Sequence, residues 1–263
     1  MKGKKVWITG GGSGIGKALA LEFDKAGATL ILSGRKKEAL ESTRSLLQLK
    51  NECHIITLDL DKHDELEKIY IANHNITKEV DILVNNAGIS QRSLVKDTTF
   101  DVYKKLVNVN YLGTLRLSLL MLNDFKKRGH GHFVNITSTA GKFGVPYRSG
   151  YSAAKFALHG FFEALRAELD NKNINITMVC PGFINTDISI NALSGDGTNH
   201  GIKDEAQNNG MSVEVMAKKT LSAIQSKKEE FFVGGFKEAH LAPTVSRFFP
   251  SLFRKIIAKS KVT

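Results

Sequence analysis

Short apolar or β-branched runs at residues 6–9, 29–33, 53–58, 81–85, 132–137 and 174–180, with a weaker one at 230–233, predict strands. Between them, residues 14–25, 36–49, 64–76, 101–125, 150–169 and 213–226 place apolar side chains at helical intervals. Such alternation predicts a mainly parallel sheet with helices on both faces, because parallel strands need crossover connections. Right-handed crossovers then put a ligand outside the carboxyl ends of the strands, where strand order reverses. Two segments break the rhythm. Residues 186–212, TDISINALSGDGTNHGIKDEAQNNGMS, are long, polar and dotted with glycine, which marks a functional or mobile loop and suggests disorder without ligand. From Val245 the apolar residues Val245, Phe248, Phe249, Leu252, Phe253, Ile256 and Ile257 form a one-face helical stripe, which Pro250 either kinks or divides into two helices.

The length of 263 residues suits one large α/β domain better than two, and no repeat or linker divides it. With 42% hydrophobic and 24% charged residues the chain has the balance of a folded protein. No apolar run reaches the length of a membrane span, and the one near the basic start is too short for a secretory signal, so a cytoplasmic location is expected. Cys53 and Cys180 make neither a disulfide framework nor a zinc pattern, and no metal is expected. The net charge of +11 attracts anions: nucleotide phosphates, nucleic acid or acidic lipid. Residues 247–263 hold Arg247, Arg254, Lys255, Lys259 and Lys261 without an acid. Residues 245–261 therefore have three readings: packing on protein, peripheral membrane contact, or a frayed tail.

Thr9-Gly10-Gly11-Gly12-Ser13-Gly14-Ile15-Gly16 links the first predicted strand to the first predicted helix. Glycine there lets backbone approach a pyrophosphate with no Cβ in the way, and the helix start offers free N–H groups and a positive dipole. In this context Gly10, Gly12, Ser13, Gly14, Ile15 and Gly16 point to dinucleotide binding. A carboxylate at the end of the second strand would suit a ribose 2′-hydroxyl, and arginine a 2′-phosphate. The chain reads Ser33-Gly34-Arg35-Lys36-Lys37, so Arg35 and Lys36 favour NADP(H) over NAD(H), although the same cations would suit a solvated helix start.

Further motifs follow in order. Asn85-Asn86-Ala87-Gly88 ends the fourth strand, and Asn110 lies in Asn108-Val109-Asn110-Tyr111-Leu112-Gly113. Ser138 follows the fifth strand, Tyr151-Ser152-Ala153-Ala154-Lys155 opens a helix, and Pro181-Gly182 follows the sixth strand, with Thr186 beyond. Over nearly its whole length the chain resembles the short-chain dehydrogenase/reductase family, the glycine segment fitting its TGxxxGxG variant. The stretch 86–113, including Ile89-Ser90-Gln91-Arg92-Ser93, is most similar to the dehydrogenase/reductase member 7 subgroup, relatives of the 11-beta-hydroxysteroid dehydrogenases. The reading that follows is a Rossmann-type doubly wound parallel sheet, order 3-2-1-4-5-6-7, in an α/β/α sandwich. Residues 1–239 would form one catalytic domain with 186–212 as its lid, and 240–263 a basic amphipathic extension.

Tyr151 and Lys155 are four apart, so a helix presents both on one face, and a nearby ammonium favours the phenolate over an ordinary phenol of pKa near 10. The resemblance implies NADP(H)-dependent interconversion of a carbonyl and a secondary alcohol. Tyr151 would be the acid/base, Ser138 the substrate orienter, Lys155 the partner of Tyr151 and a ribose ligand, and Asn110 the holder of a relay water. It also implies cofactor contacts at Asp59 and Leu60 (adenine), at Asn86, Ala87 and Gly88 (adenosine ribose), and at Pro181, Gly182, Ile184 and Thr186 (carboxamide). Val145, Phe183 and Leu193 are the substrate-pocket candidates beside Ser138 and Tyr151, for a hydrophobic small molecule. Ile188, Ile190, Ala192 and Met211 are further apolar members of the lid. His130-Gly131-His132 lacks a third metal ligand, while His159 and Cys180 read as packing residues. The helices at 101–125 and 150–169 resemble those that pair subunits in the family, so a homodimer or homotetramer is expected. Two rival functions are a non-catalytic nucleotide sensor or scaffold on the same fold and a basic nucleic-acid binder; no recognition motif supports the latter.

Overall fold

The computed structural model of the protein describes residues 1–49 and 52–260. Lys261 and the end of the 240–263 extension lie outside the described residues. Seven strands form one sheet in the order β3-β2-β1-β4-β5-β6-β7, as expected, with every neighbouring pair parallel. They are β1 (Lys5–Thr9), β2 (Thr29–Gly34), β3 (His54–Thr57), β4 (Ile82–Asn85), β5 (Gly131–Ile136), β6 (Ile174–Pro181) and β7 (Glu230–Val233). Strand residues alternate between two apolar layers because successive side chains point to opposite faces. Val6, Ile8, Leu30, Leu32, Ile82 and Val84 pack on one face with helices α1 (Gly14–Lys25), α2 (Lys37–Arg44) and α9 (Val213–Gln225). Trp7, Ile31, Leu83, Phe133 and Met178 pack on the other with α3 (His63–Ala72), α6 (Gly113–Arg128) and α7 (Ser149–Glu168). Trp7 is fully buried in the central strand, donates from Nε1 to Ser33 Oγ at 2.9 Å and stacks on Tyr70.

Several helices depart from their predicted extents, each for a local reason. The helix expected over 36–49 stops at Arg44, and the amides of Gln48 and Leu49 turn instead to the buried carboxylate of Asp24, at 2.7 and 2.9 Å. The pattern over 64–76 divides at Asn73 into α3 and the short α4 (His74–Thr77). That over 101–125 is two helices, α5 (Phe100–Val107) and α6, joined without a break by a π turn at Asn108–Leu112. Such turns concentrate at functional sites.

Segment 186–212 is folded back on the domain. Leu193 bridges to Gln91 and to Asn199, Met211 bridges to Ile184, and α8 (Glu205–Asn208) forms near its end. After β7, a π turn at Lys237–Leu241 leads into α10 (Ala242–Phe248) and α11 (Pro250–Lys259), with Pro250 as the first residue of the second helix. The C-terminal stripe is therefore split. Phe253 is buried edge-on against Phe143, with ring centroids 4.8 Å apart, while Phe248, Phe249, Leu252 and Ile256 are exposed. Among the described residues no helix is long and apolar enough to cross a membrane.

Candidate active site

The chain runs outward from β1 to β2 and β3, then returns to β4 on the other side of β1, so a crevice opens at the carboxyl ends of β1 and β4. A cleft of about 1250 Å³ lies there. Its floor at one end is the turn after β1. Gly10 has φ +69°, and a Cβ on Gly16 would fall 2.2 Å from the Gly10 carbonyl oxygen, so these two positions admit only glycine and let the start of α1 fold tightly onto the turn. Gly10, Gly12, Ser13, Gly14 and Ile15 line the cleft, whereas Gly16 supports the turn from behind. Ser13 caps α1 without a side-chain bond, so the first amides of the helix keep their capacity for an anion. The loop after β4 is fastened to the same turn. Asn86 and Ala87 both donate their backbone N–H to Thr9 Oγ1, and Asn86 Nδ2 donates to the Thr9 carbonyl at 2.9 Å.

The remaining cofactor candidates gather on this cleft. Arg35 and Lys36, both exposed, lie between β2 and α2; Asp59 and Leu60 follow β3; Asn86, Ala87 and Gly88 follow β4. Pro181 ends β6, Gly182, Ile184 and Thr186 follow it, and together they close the far wall. The glycine turn, its helix start and the flanking cations together fit a dinucleotide.

Ser138, Tyr151 and Lys155 also line the cleft. Ser138 sits just past β5 and accepts from the Ala140 amide at 3.1 Å, which fixes its side chain at the cleft wall. Tyr151 is in the first turn of α7 and Lys155 one turn later, with the ammonium 5.7 Å from the phenol ring centroid. Lys155 Nζ donates to the Ile136 carbonyl at 2.9 Å, and burial lowers its pKa to about 8. Burial raises the pKa of Tyr151; a hydrogen bond from Ser138 and the charges of Arg148 and Arg92 act against that rise. The charges of Arg148 and Arg92 thus favour the phenolate, and the Lys155 ammonium lies beside the same ring while donating to a strand carbonyl.

Asn110 is fully buried at the π turn, and its amide is spent at both ends on Ile89: Nδ2 donates to the Ile89 carbonyl and Oδ1 accepts from the Ile89 amide, each at 2.8 Å. It orders the loop after β4, and its Oδ1 and the Lys155 ammonium both lie beside Gly88. Val145 and Phe183 line the cleft, but Leu193 does not; it packs beside Tyr151 against Val102, Leu106 and Ala140. Of the other lid residues singled out, Ile188 lines the cleft, Ala192 is buried in the protein, and Met211 packs on the α1 face of the core.

Two groups here have a role that the sequence did not assign. Gln91, fully buried, takes the place of an N-cap for α7. Its Oε1 accepts from the amides of Gly150 and Tyr151 at 2.8 and 3.4 Å, and its Nε2 donates to Ser93 Oγ at 3.0 Å. Arg92 and Arg148 both meet the buried carboxylate of Asp204, and both line the cleft. Elsewhere, buried His159 and Cys180 and exposed Glu230 bring one ligand atom each within 4.8 Å of one another. Lys142 already holds Glu230 at 2.6 Å, and burial together with Lys142, Lys155 and Arg166 lowers the pKa of His159 to about 3, a setting hostile to a further cation.

Residues 4–196 match the family model described as short chain dehydrogenase. A Drosophila melanogaster protein, "Dehydrogenase/reductase SDR family protein 7-like", is 39% identical over 267 residues, covering 100% of this chain and 82% of its own. A solved actinorhodin polyketide ketoreductase with NADPH is similar over 70% of this chain and 71% of its own, at 32% identity and a TM-score of 0.65. A Burkholderia phymatum short chain dehydrogenase/reductase in complex with NAD shares the fold over 100% of this chain and 97% of its own, with a TM-score of 0.80 and 22% identity.

Proposed function

As this chain belongs to the short-chain dehydrogenase/reductase family and is an oxidoreductase, we propose that it interconverts a carbonyl compound and a secondary alcohol with NADP(H) in preference to NAD(H). The observation that carries this reading is the placing of Ser138, Tyr151 and Lys155 on the same cleft as the glycine turn and the Arg35–Lys36 pair. A nicotinamide bound there supplies the hydride in reduction and accepts it in oxidation. Ser138 would donate a hydrogen bond to the substrate oxygen. Tyr151, kept protonated by burial, would deliver the proton to that oxygen during reduction and take it back during oxidation. Lys155, positive at neutral pH and over the phenol ring, would be the electrostatic partner of Tyr151 and bind the ribose. Asn110, beside the Lys155 ammonium at Gly88, would hold the water that links Lys155 to solvent in the proton relay.

Phe183, Val145 and Ile188 give the substrate end an apolar wall, which suits a hydrophobic small molecule. Residues 1–239 would be the catalytic domain, with 186–212 as the lid and 240–263 as the extension. Leu119 of α6 and Phe156 of α7 are exposed, as a homodimer or homotetramer built on those helices would use them. The exposed apolar face of α10 and α11 favours peripheral membrane contact of an otherwise cytoplasmic protein. The direct test is Tyr151→Phe, assayed with a carbonyl library and NADPH, then NADH. Turnover is expected to fall by about 100- to 10,000-fold while NADPH still binds. Near-normal turnover by the folded variant would overturn the assignment.

A further inference from the structure

Segment 186–212 is pinned at its root and clasped at its far side. At the root, the Asn185 amide donates to the Met211 carbonyl at 2.9 Å and the Met211 amide to the Phe183 carbonyl at 3.0 Å, so both ends of the segment leave from one place beyond β6. At the far side it lies on the chain that follows β4. The Leu193 amide donates to the Ser90 carbonyl at 2.9 Å, the Arg92 amide to the Leu193 carbonyl at 2.8 Å, and the Thr99 amide to the Gly195 carbonyl at 2.8 Å. A Cβ on Gly195 would fall 1.9 Å from the Asp97 carbonyl oxygen, so the seat is closely fitted. Thr186, Ile188, Asn191, Lys203 and Gln207 of the segment help to line the cleft. Thr186 Cγ2 lies 3.4 Å from where Gly14, on the glycine turn, would carry a Cβ.

The charged side chains of this clasp meet at Asp204. Arg92 donates from Nε to Asp204 Oδ2 at 2.8 Å and from Nη2 to the same oxygen; Arg148, just before α7, donates to it from Nη2 at 3.2 Å. Arg92 Nη1 also donates to the Gln91 carbonyl at 2.6 Å and to Ser90 Oγ at 3.0 Å, which anchors the guanidinium in the loop after β4. The Asp204 amide donates to Ser189 Oγ at 3.2 Å, which ties the carboxylate to its own segment. All three charged residues are buried. An ion pair that opens to water regains its hydration, so an intact buried pair adds little net hold. A charge left in the closed site without its partner is strongly unfavourable. That asymmetry suits a latch: closure selects one geometry, and opening stays cheap.

We infer that Arg92 and Asp204, with Arg148 on the same carboxylate, form a latch that holds segment 186–212 over the cleft and sets how fast the dinucleotide is exchanged. The inference rests on the proposed cofactor site: a dinucleotide held by the glycine turn at one end and by Ile184 and Thr186 at the other occupies the part of the cleft from which the segment springs. Arg92 and Asp204 are positioning residues in this scheme, acting through the segment.

Amide hydrogen exchange of the cofactor-free protein, read by mass spectrometry, tests the latch without turnover. Asp204→Asn deprives two guanidiniums of their carboxylate and is expected to speed exchange within 186–212 by about 100-fold, with the strands of the sheet unchanged. Arg92→Gln leaves Asp204 to Arg148 and is expected to give about 10-fold. Arg92→Lys, which keeps a charge, is expected to lie closer to the parent protein. Release of bound NADPH, followed by its fluorescence during a chase with excess NADP+, is expected to quicken in the same order. Exchange in 186–212 that is unchanged in folded Asp204→Asn, or raised equally throughout the molecule, overturns the latch; Arg92→Gln decides the point if Asp204→Asn does not fold. Faster exchange with an unaltered release rate overturns control of the cofactor. Failure of the parent protein to bind either NADPH or NADH would sink the dinucleotide reading, while hydrogen exchange would still judge the latch.

Discussion

Arg35 and Lys36 reach the cleft from the end of β2, where a 2′-phosphate would lie if the glycine turn holds the pyrophosphate. A charge-assisted hydrogen bond is worth about 1.5–3 kcal/mol, and each 1.4 kcal/mol is a factor of ten. Arg35→Ser is therefore expected to raise the KM for NADPH by about 10- to 100-fold and to leave that for NADH nearly unchanged. Steady-state kinetics with both cofactors check this; equal losses would assign Arg35 to general phosphate attraction. The Tyr151–Lys155 pair was legible because both residues sit on one helix at a spacing that fixes their mutual position. The arginine cluster was not. Asp204 is 112 positions from Arg92 and 56 from Arg148, and no periodicity connects residues that meet only in the folded chain. Leu193, named from its place in the lid segment, bridges to Gln91 and packs on the cluster that contains Tyr151, a neighbourhood that no local pattern reveals.

Helix α7 carries two of the groups on which the chemistry depends, and its first turn has no cap of its own: the Arg148 side chain, at the cap position, makes no capping bond. Gln91 supplies the missing acceptor from a different loop. Gln91→Leu would leave the Gly150 and Tyr151 amides unpaired in a buried site, at a cost of about 1–3 kcal/mol. Chemical denaturation is expected to show that loss, and turnover to fall with it because the phenol rides on the loosened turn. Unaltered stability would mean that another acceptor replaces the amide oxygen. All seven strands were legible from their apolar runs, since a parallel sheet buried on both faces leaves a continuous apolar record. Helix interruptions were harder to see. The π turn at Asn108–Leu112 keeps the helical rhythm of side chains nearly intact, and α2 ends where a distant carboxylate, Asp24, competes for the next amides.

Charge and exposed apolar area are concentrated at the C-terminal end of the molecule, beside the cleft that Ala242, Ile257 and Ser260 help to line. Phe248 and Phe249 are 66% and 61% exposed, and Arg247, Arg254, Lys255 and Lys259 accompany them without an acid. Each cation near an anionic lipid surface contributes about 1 kcal/mol, and the apolar side chains add burial in the interface. The protein is expected to float with phosphatidylserine-containing vesicles at low salt. The Phe248→Ser, Phe249→Ser double variant should remain at the bottom of the gradient. Equal recovery of both proteins would return α10 and α11 to a purely protein-packing role. The exposed face was legible as a stripe, but its division was not, because only the fold shows that Phe253 turns inward onto Phe143.

Trp7 is the only tryptophan in the chain, and it lies at the middle of the sheet. Intrinsic indole emission during a denaturant titration would accordingly register the opening of the central strands and stay blind to α10 and α11 peeling away. Followed beside circular dichroism, which sees every helix, that blindness becomes useful: any gap between the two curves would measure how independently the C-terminal end melts.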